Sequence, residues 1–216
     1  MNGNNYKISD IEKVFLGKAP GIIGRHRLFS VLVPLVEIDG KPNLLFELRS
    51  SELENQPGEV CFPGGGIEKN ETAEECAIRE TVEELGVRYE DIRIISQLDC
   101  LHTYSNSTLY AFLGEISYDR LLNAEINRKE VESIFFVPVE DFFANEPFIY
   151  KVVIKPEIGE DFPYHMVNSS KGYNWKKGDY EFPIYMFGEG EEKIWGLTAR
   201  ITHNLIEVLR KERELV

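Results

Sequence analysis

Between Glu71 and Glu84 the chain carries six glutamates and one basic residue, Arg79. Like charges one helical turn apart oppose each other, so a helix of this composition calls for a cation beside it. At about 100° per residue, Glu80, Glu83 and Glu84 share an arc roughly 100° wide. Three carboxylates offered together suit a hard divalent ion, Mg²⁺ or Mn²⁺, which takes oxygen ligands and keeps positions open for water and phosphate oxygens. The alternative is a solvated acidic face. Such faces intersperse Lys or Arg four residues on, whereas Glu80 is followed at that spacing by Glu84.

The elements that must position these side chains are legible around them. Ala77, Ile78, Thr81, Val82 and Leu85 fill the adjoining arc of the helix and are expected to bury against a sheet, with Gly86 as the stop. Upstream, "LFSVLVPLVEI" (28–38) reads as a strand, "DGKPN" as a hairpin turn, "LLFELR" as its partner strand and "EVCF" as a short strand, and the glycine-rich 63–66 reads as a turn. Downstream, "IRIISQLDCLHTY", "STLYAFLGEI", "EVESIFFVPVEDFF", "FIYKVVIKPEI" and "FPIYMFGE" read as strands, the third running into a short helix. A helix is expected over 8–17, capped by Ser9 or Asp10 with Ile11, Val14 and Phe15 inward, and another over 197–214 with Leu197, Ile201, Leu205, Val208 and Leu209 inward. The 216 residues suit one mixed α and β domain spanning 1–216, with these two helices as decorations.

A net charge of −13 without an extended run of Lys or Arg argues against nucleic acid and anionic membrane surfaces as partners. No segment offers the roughly 20 apolar residues of a membrane span, and the start of the chain has no signal-peptide pattern. Cys61, Cys76 and Cys100 are too widely spaced for a CxxC zinc site and cannot all pair, which fits a reducing compartment, with the cytoplasm as the default. The oligomeric state stays open, a homodimer included.

The spacing Gly65, five residues, Glu71, seven residues, Arg79-Glu80, two residues, Glu83-Glu84, one residue, Gly86-Val87 resembles the Nudix box in full. Thr81, where that pattern asks for a bulky aliphatic residue, is its one departure. The resemblance implies an α+β fold, an α/β/α sandwich with a mixed sheet and a catalytic helix after a Gly-rich loop, that hydrolyses nucleoside diphosphates linked to another group. It implies Glu80, Glu83 and Glu84 as metal ligands, with the Gly64 carbonyl as a further one. Arg79 would pair with Glu71 and orient the ligands without touching substrate, and Gly65 and Gly66 would bring backbone to the site. The general base is left between a box glutamate such as Glu80 and a later residue, Glu130 or Glu132. The same chemistry leaves open a surface role for Glu130 and Glu132.

"LFELRSSELENQPGEVCFPGG" further resembles the coenzyme A diphosphatase branch in Leu45, Arg49-Ser50, Gly58, Val60, Phe62 and Pro63 to Gly65, as does "IWGLTA" (194–199) before the last helix. Phe46-Glu47 replaces the usual Leu-Thr, and Glu54 stands where a second arginine belongs. The implied reaction cuts coenzyme A or a derivative into 3′,5′-ADP and a 4′-phosphopantetheine species, with Arg49, Ser50, Gly65 and Gly66 at the substrate and Arg27, of the basic knot 25–27, at a 3′-phosphate. The rivals are hydrolysis of ADP-ribose or another nucleoside diphosphate conjugate, and a nucleotide-binding module without turnover. Tyr164, Tyr173, Trp175, Tyr185 and Trp195 read as packing residues or as the wall of a nucleotide pocket, His102 as structural, and Cys61 and Cys76 as small fillers.

Overall fold

The computed structural model describes residues 6–167, 174–190 and 192–214. Its spine is β1 (Arg27–Ile38), whose alternation of apolar side chains serves both faces of a sheet. A tight turn returns the chain as β2 (Lys41–Arg49), paired antiparallel with Leu35 opposite Leu44 and Ile38 opposite Lys41. β3 (Val60–Cys61) lies beyond β2, and β4 (Gly64–Gly66) pairs antiparallel with the start of β1, Val31 opposite Gly64 and Phe29 opposite Gly66. The glycine run expected as a turn is therefore a short strand. Pairing with β1 overrides glycine's poor strand propensity, and at Gly64 a side chain would collide with the β1 backbone.

After α2 (Ala73–Leu85) come β5 (Ile92–Gln97), β6 (Leu101–Thr103) and β7 (Ser107–Ile116). The stretch read as one strand thus divides into β5 and β6, both antiparallel to β7, with the ladder shifting between Ile94 and Ser96. β7 is parallel to β1, from Arg27 opposite Ser107 to Leu35 opposite Glu115, so the sheet is mixed. α3 (Tyr118–Leu122) leads to β8 (Val131–Pro138), which pairs with β2 and runs into α4 (Val139–Ala144). β9 (Phe148–Ile154), β10 (Gly178–Phe187) and β11 (Glu192–Ile194) form a separate three-stranded sheet in the order β11-β10-β9, and α5 (Gly196–Glu214) follows. The main sheet runs β3-β2-β1-β7-β5, with β4 on β1, β6 on β7 and β8 on β2.

Period-two alternation divides the core. Leu32, Val36 and Leu45 face α2 and meet Ala77, Ile78 and Leu85, while Val33, Leu44 and Phe46 face the opposite layer and meet Phe142 of α4, Tyr185 of β10 and Ile201, Leu205 and Ile206 of α5. This is an α+β sandwich. The inward stripe of α5 holds Ala199, Ile201, Thr202, Leu205 and Ile206; Leu197, Val208 and Leu209, expected inward, stay over a third exposed because the contact stripe is narrower than the apolar pattern.

α1 (Ile8–Phe15) departs from expectation in three ways. Lys7 is the cap, with its N–H donating to the Asp10 carboxylate at 3.1 Å; the helix stops at Phe15, where Leu16 turns to extended backbone at φ −64° and ψ 117°; and no residue in it is buried. Ile11, Val14 and Phe15 are exposed. Its periodicity describes a stripe, but a stripe becomes an inner face only where another element covers it.

Candidate active site

α2 begins with a capping box. Thr72 Oγ1 accepts the Glu75 N–H at 3.2 Å and the Glu75 carboxylate accepts the Thr72 N–H at 2.8 Å, so one of the six glutamates is spent on the helix start. The helix ends at Gly86, in the left-handed conformation at φ 70°, with its N–H on the Val82 carbonyl. Between these ends Cys76, Ala77, Ile78, Thr81, Glu84 and Leu85 are buried. Thr81 satisfies its hydroxyl on the Ala77 carbonyl at 2.7 Å, which is how a polar residue fits the position where a bulky aliphatic one was expected.

Arg79 organises the outer carboxylates. Its Nε donates to Glu71 Oε1 at 2.7 Å and Nη2 to Oε2 at 3.2 Å, while Nη1 reaches Glu80 at 2.9 Å and Glu83 at 3.2 Å. Nη2 also donates to the Gly66 carbonyl at 3.4 Å. The guanidinium, through its hydrogen bonds to Glu71 first, holds that carboxyl down at about 2. The cation demanded by the crowded carboxylates is, in this arrangement, Arg79.

Glu84 points the other way. It is 3% exposed, and its Oε2 accepts the Gly64 N–H at 2.8 Å. Burial, with Glu80 and Glu130 adding like charge, pushes its carboxyl up to about 8. Burial likewise raises Glu80. Gly64 and Gly65 make this packing feasible: a Cβ on Gly64 would lie 2.3 Å from the Ser30 carbonyl oxygen, and one on Gly65 would lie 2.2 Å from Glu80 Oε1. Among the described residues, no three His, Cys, Asp or Glu side chains converge closely enough to hold a metal ion as they lie, because Glu80 and Glu83 turn to Arg79 and Glu84 turns to Gly64.

A fourth carboxylate joins them. Glu47 of β2 is 1% exposed, with Oε1 buried and unpartnered. Burial raises its carboxyl well above the usual range, and Glu84 and Glu130 push it further. Its Oε2 lies 4.0 Å from Cys61 Sγ, whose thiol is raised by burial and by Glu47. The strand pattern could have found it, since period two puts Glu47 on the Leu45 side of β2, facing α2.

Glu130 and Glu132 separate clearly. Glu132 is exposed, and its carbonyl accepts from Arg128. Glu130 is half-buried, its carbonyl accepts the Ser50 N–H at 2.8 Å, its Oε1 accepts from Asn127 at 3.3 Å, and its charge is felt by Glu47, Glu80 and Glu84. Ser50 is itself buried, with its hydroxyl accepting the Glu52 N–H; it supports the Glu130 loop and does not line the cavity described next, and neither does Gly66, whose carbonyl is taken by Arg79.

Beside Gly64 and Gly65 opens a cavity of about 790 Å³ whose wall includes Arg27, Arg49, Cys61, Tyr104, Tyr180, Trp195 and Arg200. Arg49 Nε is buried without a partner, and Arg200 lies over the Tyr180 ring at 4.6 Å. Neither Arg200 nor Tyr180 was singled out from sequence. The remaining residues weighed there take structural places: Tyr185 packs on Phe142 and bonds His203, Tyr164 and Trp175 pack on Phe162, and His102 Nδ1 bonds Thr108 at 2.9 Å. Tyr173 lies outside the described residues.

An acidic helix packed on a mixed sheet beside a glycine strand, next to an arginine-lined cavity, is an arrangement suited to an anionic substrate. The NUDIX domain pattern matches residues 26–155. Nudix hydrolase 3 of Caenorhabditis elegans is 40% identical over 190 residues, covering 85% of this chain and 73% of that protein. A peroxisomal coenzyme A diphosphatase of Mus musculus is 36% identical over 141 residues, 63% of this chain and 57% of that protein, and a mitochondrial coenzyme A diphosphatase of Homo sapiens is 25% identical over 199 residues, 91% and 75%. A MutT/nudix family protein from Enterococcus faecalis shares the fold at a TM-score of 0.52 and 14% identity, covering 96% of this chain and 71% of its own. The chain belongs to the Nudix family of hydrolases.

Nudix hydrolases generally require divalent metal ions. The residues here fit one: Glu84 and Glu47 are desolvated carboxylates without a counter-ion contact, and one oxygen of Glu47 has no partner. Among the described residues, no helix is long and apolar enough to cross a membrane.

Proposed function

We propose that the protein hydrolyses the pyrophosphate bond of coenzyme A or its derivatives, giving 3′,5′-ADP and a 4′-phosphopantetheine species, with Mg²⁺ or Mn²⁺ as cofactor. One observation carries the reading: the cavity joins the Gly64-Gly65 backbone, which touches the carboxylates, to arginines free of carboxylate partners among the described residues. Such a cavity suits an elongated polyanion. The Gly58 to Gly65 signature and the names of the relatives support coenzyme A as that polyanion.

Glu80, Glu83 and Glu84 are the side chains that would hold the metal, with the Gly64 carbonyl beside them. When bound, the ion neutralises phosphate oxygens and lowers the pKa of a bound water. Arg79 and Glu71 act at one remove, holding Glu80 and Glu83 in place. The water oxygen bonds to one phosphorus, the anhydride P–O bond breaks, and the water's proton passes to a carboxylate. Glu130 is the acceptor favoured by its bonded loop and its proximity to the cluster, with Glu80 as the competing acceptor. Arg49, whose charge acts on both Glu47 and Glu84, is suited to a pyrophosphate oxygen. The three cysteines are free thiols, which supports a reducing compartment such as the cytoplasm.

Incubation with coenzyme A and Mn²⁺, followed by chromatography, should yield both products. A yield no greater than that of the Glu83→Gln/Glu84→Gln variant would refute the reading. Hydrolysis of ADP-ribose is the second reading, favoured by Glu54, which is exposed and contributes nothing to the cavity wall. A kcat/KM for ADP-ribose above that for coenzyme A would establish it.

A further inference from the structure

In a chain of net charge −13, five of the eleven arginines form ion pairs among the described residues. Arg79, Arg88, Arg93, Arg120 and Arg210 each face carboxylates. Of the six others, which form no ion pair among the described residues, Arg27, Arg49 and Arg200 line the cavity beside Gly64 and Gly65. The wall of that cavity contains a single carboxylate, Glu59, which accepts from Gln56 at 2.9 Å. The first turn of α5, which also lines it, carries no acidic residue.

Arg200 is the most deliberately mounted of the three. α5 is tied to the cavity rim where Thr198 Oγ1 donates to the Val60 carbonyl at 3.1 Å, and two residues on, the Arg200 guanidinium lies over Tyr180, 4.6 Å from the ring centre. An aromatic face fixes the guanidinium plane while using none of its N–H donors, which remain for a ligand. A half-buried cation kept without a counter-charge is costly unless a ligand supplies one. Arg49, whose charge acts on Glu47 and Glu84, serves the end of the cavity next to the carboxylates; Arg200 sits instead among Tyr180, Phe182 and Trp195. Glu54, the signature position that has lost its arginine, is exposed and off the wall, so the chain's cation for a second anionic group comes from α5.

We infer that Arg200, mounted on Tyr180, receives a phosphate monoester remote from the scissile pyrophosphate, and that it makes the enzyme select nucleotides carrying such a group over those lacking it. This rests on the pyrophosphatase reading above; in coenzyme A the group is the 3′-phosphate. A dianionic monoester is matched by the paired N–H edge of a guanidinium, with Arg27 on the same wall as a second cation.

The test compares kcat/KM for coenzyme A and 3′-dephospho-coenzyme A in the wild type, Arg200→Gln and Arg200→Lys. Wild type should prefer coenzyme A by about 10- to 100-fold, the range of one charge-assisted contact. Arg200→Gln should bring the ratio within about threefold, and Arg200→Lys should fall between, as a point charge recovers part of a bidentate contact. A structural role for Arg200 would lower both rates together and leave the ratio unchanged. A wild-type ratio near one, or a preference that Arg200→Gln retains, overturns the inference. If the wild type cleaves neither compound, the coenzyme A reading has failed and metal-free binding decides this one. Tryptophan fluorescence should then show 3′,5′-ADP bound at least about tenfold more tightly than AMP in wild type and equally in Arg200→Gln; equal binding in wild type overturns it.

Discussion

Raising the pH should destabilise the metal-free protein through Glu84. The carboxyl is 3% exposed, accepts one N–H, and is pushed up to about 8 by burial and then by neighbouring carboxylates. In the unfolded chain it titrates near 4.5. Below that value both states hold the proton and no penalty exists. Above it the unfolded state releases the proton first, so the folded state binds more, and stability falls by about 1.4 kcal/mol per pH unit until pH passes the folded value. Between pH 5 and pH 8 the loss is on the order of 3 to 4 kcal/mol, which for a protein of this size is roughly 6 to 15 °C in Tm. Glu84→Gln keeps an acceptor for the Gly64 N–H and removes the charge. Thermal melts in chelator at several pH values should therefore show the variant gaining on wild type, from near parity at pH 5 to that margin at pH 8. Taking the difference between the two proteins cancels other titrations, apart from Glu47, whose raised carboxyl is coupled to the same site and which keeps part of the slope in the variant. A difference that does not change with pH would refute the reasoning.

Arg79→Lys should lower stability by about 1.5 to 3 kcal/mol, because an ammonium cannot serve Glu71, Glu80 and Glu83 at once, and chemical denaturation would read it. The part owed to Glu71 has the opposite pH sign to Glu84: its carboxyl is held at about 2, so its contribution is full above about 4.5 and lost as pH falls toward 2, and an acid titration of wild type against Arg79→Lys should converge there. Glu130→Gln should lower kcat on coenzyme A by about 10²- to 10⁴-fold with the acid limb of the pH profile displaced, while Glu132→Gln should leave kcat within about twofold. Equal effects of the two would remove Glu130 from the proton transfer.

Helix α2 was readable because every signal agreed: the helical arc of Ala77, Ile78, Thr81 and Leu85, the stop at Gly86 and the fixed spacing of the carboxylates. The strands of the main sheet followed from alternation. Three features escaped for distinct reasons. The Gly64 to Gly66 segment is a strand only because β1 lies alongside, a tertiary fact that glycine propensity argues against. Glu47 was visible as a departure from the family pattern, but its meaning depends on Glu84 and Glu130 arriving from elsewhere in the chain. Arg200 stands 20 residues from Tyr180 in sequence, and no local periodicity announces that β10 will carry that ring beneath it. α1 shows the converse, a strong apolar stripe that covers nothing in the described structure.

The central claim is that the α2 carboxylates jointly hold a divalent ion, and titration of Mn²⁺ into the metal-free protein, followed through the electron paramagnetic resonance signal of free manganese, addresses it directly. Wild type should deplete that signal at stoichiometric protein, and Glu83→Gln/Glu84→Gln should weaken binding by tenfold or more, in the range expected when ligand groups are removed. Retention of wild-type affinity by the variant would contradict the claim.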